Sequence, residues 1–293
     1  MDLSIVIVNW NTRDLLAQCL RSVYDTAGDL ALEVFVVDNA SSDGSADMVR
    51  REFPQVKLIE NAENVGFARA NNQAIRLSSG RYVLLLNSDA VIMTRAIQAM
   101  VSFMDEHDDV GLVGPELLDS SGRSQLSWAA FPTVLSELLG YHSRARKPLR
   151  AGANQDLSLT AYEVDWVAGA CLLVRMETVK EVGLMDERFF LYSEETDWCH
   201  RIRASGWGVV FLPEAKVVHL EGRSSAQLSD EGLLLLYSSK ILYARKYFGK
   251  LGSIFLKLGL LLRLLVSSWI RPLWGRGKVA ISRWRLVKEL WHA

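Results

Sequence analysis

The stretch R-Y-V-L-L-L-N-S-D-A, Arg81 to Ala90, carries an unbroken apolar run from Tyr82 through Leu86 that stops abruptly on Asn87, Ser88 and Asp89. The run suits a strand buried on both faces, and the ending suits oxygen ligands. The same form recurs upstream. Leu3 to Val8 ends in Asn9 and Asn11, with Thr12 placed to cap a helix over Arg13 to Tyr24. Val34 to Val37 ends in Asp38 and Asn39, ahead of S-S-D-G-S and a helical stretch around Ala46 to Phe53. Val56 to Ile59 ends in Glu60 and Asn61, followed by a helix over Gly66 to Leu77, and Thr94 to Glu106 is helical in pattern. Four short apolar strands alternating with helices predict an α/β fold with a mostly parallel sheet covered on both faces. Ligands of such sheets collect beyond the carboxyl ends of the strands, so the four polar endings should share one rim.

The 293 residues, 49% of them apolar, suffice for a packed core. The net charge of −1 hides an asymmetry: from Leu233 to Ala293 twelve Lys and Arg face the single acid Glu289. A separate membrane- or polyanion-binding segment is the usual meaning. Gly111 to about Thr160 reads as loops with short helices such as Val134 to Gly140. Further on, an apolar strand is expected within Val164 to Met176. Helices are expected at Glu177 to Val182 and Glu194 to Ala204, with short strands at Val209 to Leu212 and Lys216 to Leu220. Cys19, Cys171 and Cys199 lack C-x-x-C spacing and fit a reducing compartment. The start M-D-L-S-I-V-I-V has no basic leader and does not resemble a secretory signal.

No G-x-G-x-x-G follows Val8, and no G-x-x-x-x-G-K-[ST] occurs, so hydride transfer and P-loop phosphoryl transfer lose their best support. The rim instead offers Asp38, suited to ribose hydroxyls or a base edge, and Asp89, a hard donor suited to Mg²⁺ or Mn²⁺. Transfer from a nucleoside-diphosphate donor is the chemistry these suggest.

The motifs I-V-I-V-N-W-N, V-V-D-N-A-S-S-D-G-S, E-N-V-G-F-A-R-A-N-N, L-L-L-N-S-D-A, W-V-A-G-A-C-L-L-V-R, M-D-E-R-F-F-L-Y-S-E-E-T-D-W-C-H-R and V-V-H occur in that order. Over Met1 to Gly222 the chain therefore resembles inverting family-2 glycosyltransferases of the GT-A fold, and looks most like bacterial rhamnosyltransferase-like members. The resemblance implies a Rossmann-like nucleotide-binding half, and places N-S-D where the family carries its metal-binding D-x-D. Asp89 would then hold a divalent cation, Asn87 replaces the first acid, and His219 completes the coordination; a half-buried structural histidine is the alternative. By the same likeness Asp38 binds the nucleoside, with Val8 and Asn9 beside the base, and the donor set takes in Asn64, Asn87, Ser88 and Asp89. Asp38 also suits a cap on its own turn. Arg69 is placed to reach a phosphate, or else pairs with an acid.

Glu195 corresponds to the family's catalytic base, which takes the acceptor's proton as its oxygen attacks opposite the diphosphate. Neighbours on a helix point about 100° apart, so Glu194 and Glu195 are not expected to face the acceptor together. Glu194 and Asp197 are candidates for binding the acceptor or a backbone amine. An acidic helix N-terminus answering the dipole is the plain alternative. Asp165, Trp166 and the small residues around Gly169 fit the family loop lining the sugars, with a core Trp as the other reading.

Ile254 to Trp274 is interrupted by Lys257, Arg263 and Arg271, which disfavours a membrane span. On one helical wheel Lys246, Lys250, Lys257 and Arg271 share a sector, and an amphipathic segment lying on an anionic membrane surface is expected; packing on protein is the alternative. The division expected is a catalytic domain over residues 1–232, with its nucleotide-binding half at 1–110 and its acceptor half at 111–232, and a basic amphipathic segment at 233–293. The function expected is transfer of a sugar, rhamnose from dTDP-rhamnose by family likeness, to a lipid-linked glycan. The place expected is the cytoplasmic face of the membrane, during synthesis of a bacterial surface polysaccharide. No nucleic-acid partner is expected, and homo-oligomerisation stays open. A sugar-nucleotide pyrophosphorylase and a non-catalytic sugar-nucleotide-binding scaffold are the competing readings.

Overall fold

A computed structural model of the chain describes residues 1–140, 147–148, 161–220 and 229–270. The apolar runs form β1 (Leu3–Asn9), β2 (Leu32–Asp38), β3 (Lys57–Glu60) and β4 (Tyr82–Asn87). Between and after them lie α1 (Arg13–Thr26), α2 (Ser45–Glu52), α3 (Phe67–Ile75) and α4 (Ala96–Glu106), the last preceded by the short β5 (Ala90–Ile92). The second half adds β6 (Val110–Leu118), β7 (Trp128–Ala129), α5 (Val134–Leu139), β8 (Lys147–Pro148), β9 (Tyr162–Glu163) and β10 (Trp166–Val167). It continues through β11 (Cys171–Arg175), α6 (Met176–Val182), α7 (Glu194–Ala204) and β12 (Gly208–His219) to α8 (Ser229–Tyr247) and α9 (Gly249–Ile270).

Among the described residues the main sheet runs β3-β2-β1-β4-β11-β6-β12-β9-β8, with β5 paired onto β12. Strands β3, β2, β1 and β4 are parallel, β11 enters antiparallel between β4 and β6, and β6 runs parallel to β12. Strand β1 connects outward to β2 on one side and has β4 on the other, so the chain reverses its progression there and opens a crevice at the strand ends.

The two-residue period of each strand divides the core. Ile5, Ile7, Leu84 and Leu86 pack with residues of α1 and α4 on one face; Val6, Val83 and Leu85 pack with residues of α3 and α7 on the other. Leu85 is fully buried, and truncating such a residue to Ala costs about 2–5 kcal/mol.

Three expectations need correction. The segment from Gly111 is not loop: β6 is a nine-residue, mostly buried strand at the centre of the second half. Its glycines are there for close approach, since a Cβ on Gly114 would lie 2.6 Å from Val167 Cβ. Thr12 makes no cap hydrogen bond to α1; its hydroxyl is engaged by strand-end side chains described below. The tail is not one continuous wheel either. The chain turns at Phe248 and Gly249, where glycine takes φ +70°, so Lys246 and Lys250 lie on different helices.

Helix α8 is fastened to α7 and the segment before it. Lys246 Nζ lies 2.9 Å from Asp186 Oδ2 and 2.5 Å from Asp197 Oδ1, and Tyr247 Oη donates to Asp197 Oδ1 at 2.8 Å. Arg201 Nε donates to Asp197 Oδ2 at 3.0 Å, so this fully buried carboxylate is held by three donors. Tyr247 also stacks obliquely on His200, with ring centroids 3.9 Å apart, and Ser239 Oγ donates to the Leu191 carbonyl at 2.8 Å.

Candidate active site

A cleft of about 430 Å³ opens at the ends of β1 and β4. Val8 and Trp10 line it beside Asn39 and Asn64; Asn87, Ser88, Asp89 and His219 form its floor; Gly169, Glu194 and Glu195 face them, with Phe190 and Tyr192 on the remaining wall. Nine of the expected site residues thus meet: Val8, Asn64, Asn87, Ser88, Asp89, Gly169, Glu194, Glu195 and His219.

Five others do not line the cleft. Asn9 and Asp38 are buried behind it, with Asn9 Nδ2 donating to Asp38 Oδ1 at 2.8 Å and Asp38 Oδ2 accepting from the Ser41 amide at 2.9 Å. Thr12 Oγ1 donates to Asn9 Oδ1 at 2.7 Å and sits 2.7 Å from Ser88 Oγ. These groups brace the rim, and the residue that lines the cleft after β2 is Asn39, whose side-chain amide donates to the Gly66 carbonyl and accepts from Asn61. Arg69 lies on an exposed part of α3, its Nε 4.0 Å from Glu187 Oε2. Trp166 is a core residue whose Nε1 donates to the Ala130 carbonyl at 3.0 Å, because a buried indole needs an acceptor for its N–H. Asp197, nearly one turn along α7 from Glu194, belongs to the fastening of α8.

Asp89 and His219 lie close enough together that both could contact one cation. Gln125 Nε2 donates to the His219 carbonyl at 2.9 Å, an oxygen that can only accept, which turns Gln125 Oε1 toward His219 Nδ1 at 3.2 Å. Nδ1 therefore carries the proton and the Nε2 lone pair faces inward, 3.3 Å from Asn87 Nδ2 and 3.4 Å from Asp89 Oδ1. Two lone-pair atoms about 3 Å apart suit neighbouring ligands of one small divalent ion with bonds near 2.1 Å. Among the described residues no group of three His, Cys, Asp or Glu could hold a metal. An ion here would thus take its other ligands from phosphate oxygens and water, the usual habit of Mg²⁺.

The opposite wall is acidic. Ser193 and Tyr192 take left-handed backbone conformations, φ +67° and +72°, which costs non-glycine residues about 1–2 kcal/mol each and marks a turn held by its surroundings. The turn aims the first residues of α7 at the cleft. Contrary to the expectation from helical spacing, both Glu194 and Glu195, the first two residues of α7, line it. Burial raises the pKa of both. The negative charge of Glu195 raises Glu194 further. Glu194 is buried with its Oε2 unpartnered, while Glu195 Oε1 accepts from Thr196 Oγ1 at 3.1 Å. Gly169 leaves room for Glu195, whose Cγ would lie 3.5 Å from a Cβ placed there.

Asn39, expected on the rim as a polar strand ending, lines the cleft, whereas sequence reasoning missed Trp10, Gln125, Phe190 and Tyr192 as cleft or supporting residues. Trp10 carried a signal, since it directly follows a strand's last residue; Gln125 carried none.

The α/β sheet order and the cleft at its strand ends are those of the GT-A fold, which solved glycosyltransferases share with this chain. Residues 4–164, just over half of the chain, match the model of Glycosyl transferase family 2, and the chain belongs to that family. It is 27% identical over 242 residues to the N-acetylglucosaminyl-diphospho-decaprenol L-rhamnosyltransferase of Mycobacterium tuberculosis, spanning 77% of this chain and 78% of that protein. It is 25% identical over 198 residues to the dTDP-rhamnosyl transferase RfbF of Shigella flexneri, spanning 67% and 62%. The mannosyltransferase PcManGT of Pyrobaculum calidifontis, solved with GDP-Man and Mn²⁺, superposes with a TM-score of 0.56 at 17% identity, over 99% of this chain and 87% of that one.

Proposed function

We propose that the protein is an inverting, cation-assisted glycosyltransferase that moves a deoxysugar, L-rhamnose from dTDP-rhamnose, onto a hydroxyl of a lipid-linked glycan in surface-polysaccharide synthesis. The names of the two relatives support rhamnose as the sugar, and the name of the second supports dTDP as its carrier. The observation that carries the reading is that Glu194 and Glu195 line the same cleft as Asp89 and His219. Glu195 takes the acceptor's hydroxyl proton while that oxygen forms the bond to the anomeric carbon, and the bond from that carbon to the diphosphate breaks on the opposite face. The raised pKa makes Glu195 a stronger base than an exposed glutamate, nearer the value proton transfer favours at neutral pH. Asp89 and His219 would hold a Mg²⁺ or Mn²⁺ ion, which when bound neutralises the departing diphosphate's charge. Val8, Trp10, Asn39 and Asn64 would border the nucleoside, and Gly169 and Glu194 the sugars.

Residues 1–232 form the transferase in this reading, and the basic 233–293 segment holds it peripherally at the cytoplasmic face of an anionic membrane. No helix among the described residues is long and apolar enough to cross one.

The test is Glu195→Gln. Nucleotide affinity with Mn²⁺ is expected to stay within about twofold, while turnover falls by at least ~10². Undiminished transfer would remove Glu195 from its role, and absence of binding by any nucleoside diphosphate would favour a different activity.

A further inference from the structure

Helix α9 buries Ser253, Leu256, Leu260, Leu261 and Leu264. Its other side carries Leu251, Ile254, Phe255, Leu258, Leu262 and Val266, each between 46% and 72% exposed. At 3.6 residues per turn these six fall in one sector of about 120°, and at 1.5 Å per residue they run for roughly 22 Å. No charged residue interrupts the sector. Exposed Lys250 and Arg263 lie outside its two edges. Helix α5 packs its Val134 and Leu138 side against Gly252 and Gly259, on the flank beside Arg263, and leaves Leu135 and Leu139 66% and 69% exposed. A continuous apolar stripe of this size is uncommon on a surface that meets only water.

We infer that this sector of α9, widened by Leu135 and Leu139 of α5, is the surface that enters the headgroup layer of an anionic membrane, with α9 lying flat. The inference rests on the lipid-linked acceptor reading and specifies which residues meet the lipid. Charge selects the occupant. Residues 233–293 hold twelve Lys and Arg against one acid, so stacking two copies through this face would set like charges together. Folding residues 271–293 back over it would do the same, since six of those cations lie there. An apolar face bordered by cations is matched by acyl chains below anionic headgroups. Lys257 and Arg263 oppose full insertion of the helix.

The experiment compares the full-length protein with a Phe255→Ser, Leu258→Ser, Leu262→Ser variant in flotation with vesicles of phosphatidylcholine alone or mixed with phosphatidylglycerol. The unaltered protein should float with the mixed vesicles, and the variant should partition at least about tenfold less, with an unchanged melting temperature and solution mass. Equal flotation of the two would assign binding to cations alone and overturn the inference. So would a dimer that the substitutions dissociate, or a variant that loses thermal stability while still floating, which would place protein over the face. Absence of flotation for the unaltered protein overturns it too. Nucleotide binding with Mn²⁺, measured without vesicles on both proteins, keeps the tests apart: flotation can fail while the transferase reading stands, and the converse.

Discussion

Replacing Lys246 by Met keeps the aliphatic stem and removes the charge that joins α8 to both Asp186 and Asp197. Removing one partner of a buried ion pair costs about 3–5 kcal/mol when the other is left uncompensated. Asp197 keeps Arg201 and Tyr247 as donors, and the Lys246 side chain is 24% exposed, so the expected cost is lower, about 2 kcal/mol. For a chain of this length that lowers the melting temperature by roughly 4–8 °C. Calorimetry and urea unfolding on Lys246→Met, Asp197→Asn and the double variant give the coupling directly. A coupling energy below about 0.5 kcal/mol would refute the view that this contact fastens the tail helix to α7. Because α7 begins with Glu194 and Glu195, the same substitution should lower kcat more than it raises the donor KM, and Lys246→Arg should restore most of the loss.

The raised pKa of Glu195 places the acidic limb of the pH–rate profile above the ordinary glutamate range. The base acts deprotonated, so kcat/KM should rise with pH through that limb, and a limb at the usual carboxylate value would contradict the assignment. Gln125→Leu frees the His219 ring and should weaken Mn²⁺ affinity, measured by titration with nucleotide present, by about 10–100-fold. Gly66→Ala puts a Cβ 2.6 Å from the Phe190 carbonyl at a φ of +85°. A destabilisation of at least about 1–3 kcal/mol is expected in urea unfolding, together with weaker donor binding as the Phe190 wall shifts.

The first four β-α units were legible because β1, β2 and β4 are short buried apolar runs ending in Asn or Asp, and the half-exposed edge strand β3 still alternates with helices and ends in Glu60, so burial and the polar rim leave marks in the sequence. Strand β6 was not, because Gly111, Gly114 and Pro115 look like loop residues until their neighbours are known: Thr178 and Trp207 crowd Gly111, and Val167 crowds Gly114. Within the site, the polar strand ending Asn87 to Asp89 was found from the residue pattern, while Val8, Asn64, Gly169, Glu194, Glu195 and His219 were found from the resemblance of their motifs to the family. Contacts joining distant segments were not. Asp197 looked like an acceptor ligand because nothing in E-E-T-D-W reveals Lys246 approaching from α8, and Trp166 looked like a sugar platform because its carbonyl partner lies 36 residues away. The expectation that Glu194 and Glu195 would not face one site together differs from the structure, where both line the cleft from the first turn of α7.

Strand β11 runs opposite to its neighbours, so it delivers its beginning to the edge where β1 and β4 deliver their ends, and the Asn87 amide donates to the Ala170 carbonyl at 2.9 Å across that seam. The segment that precedes β11 thus brings Gly169 and Ala170 to the same edge as Asn87, and in the proposed reading the donor-side and acceptor-side halves of the transferase meet along that seam.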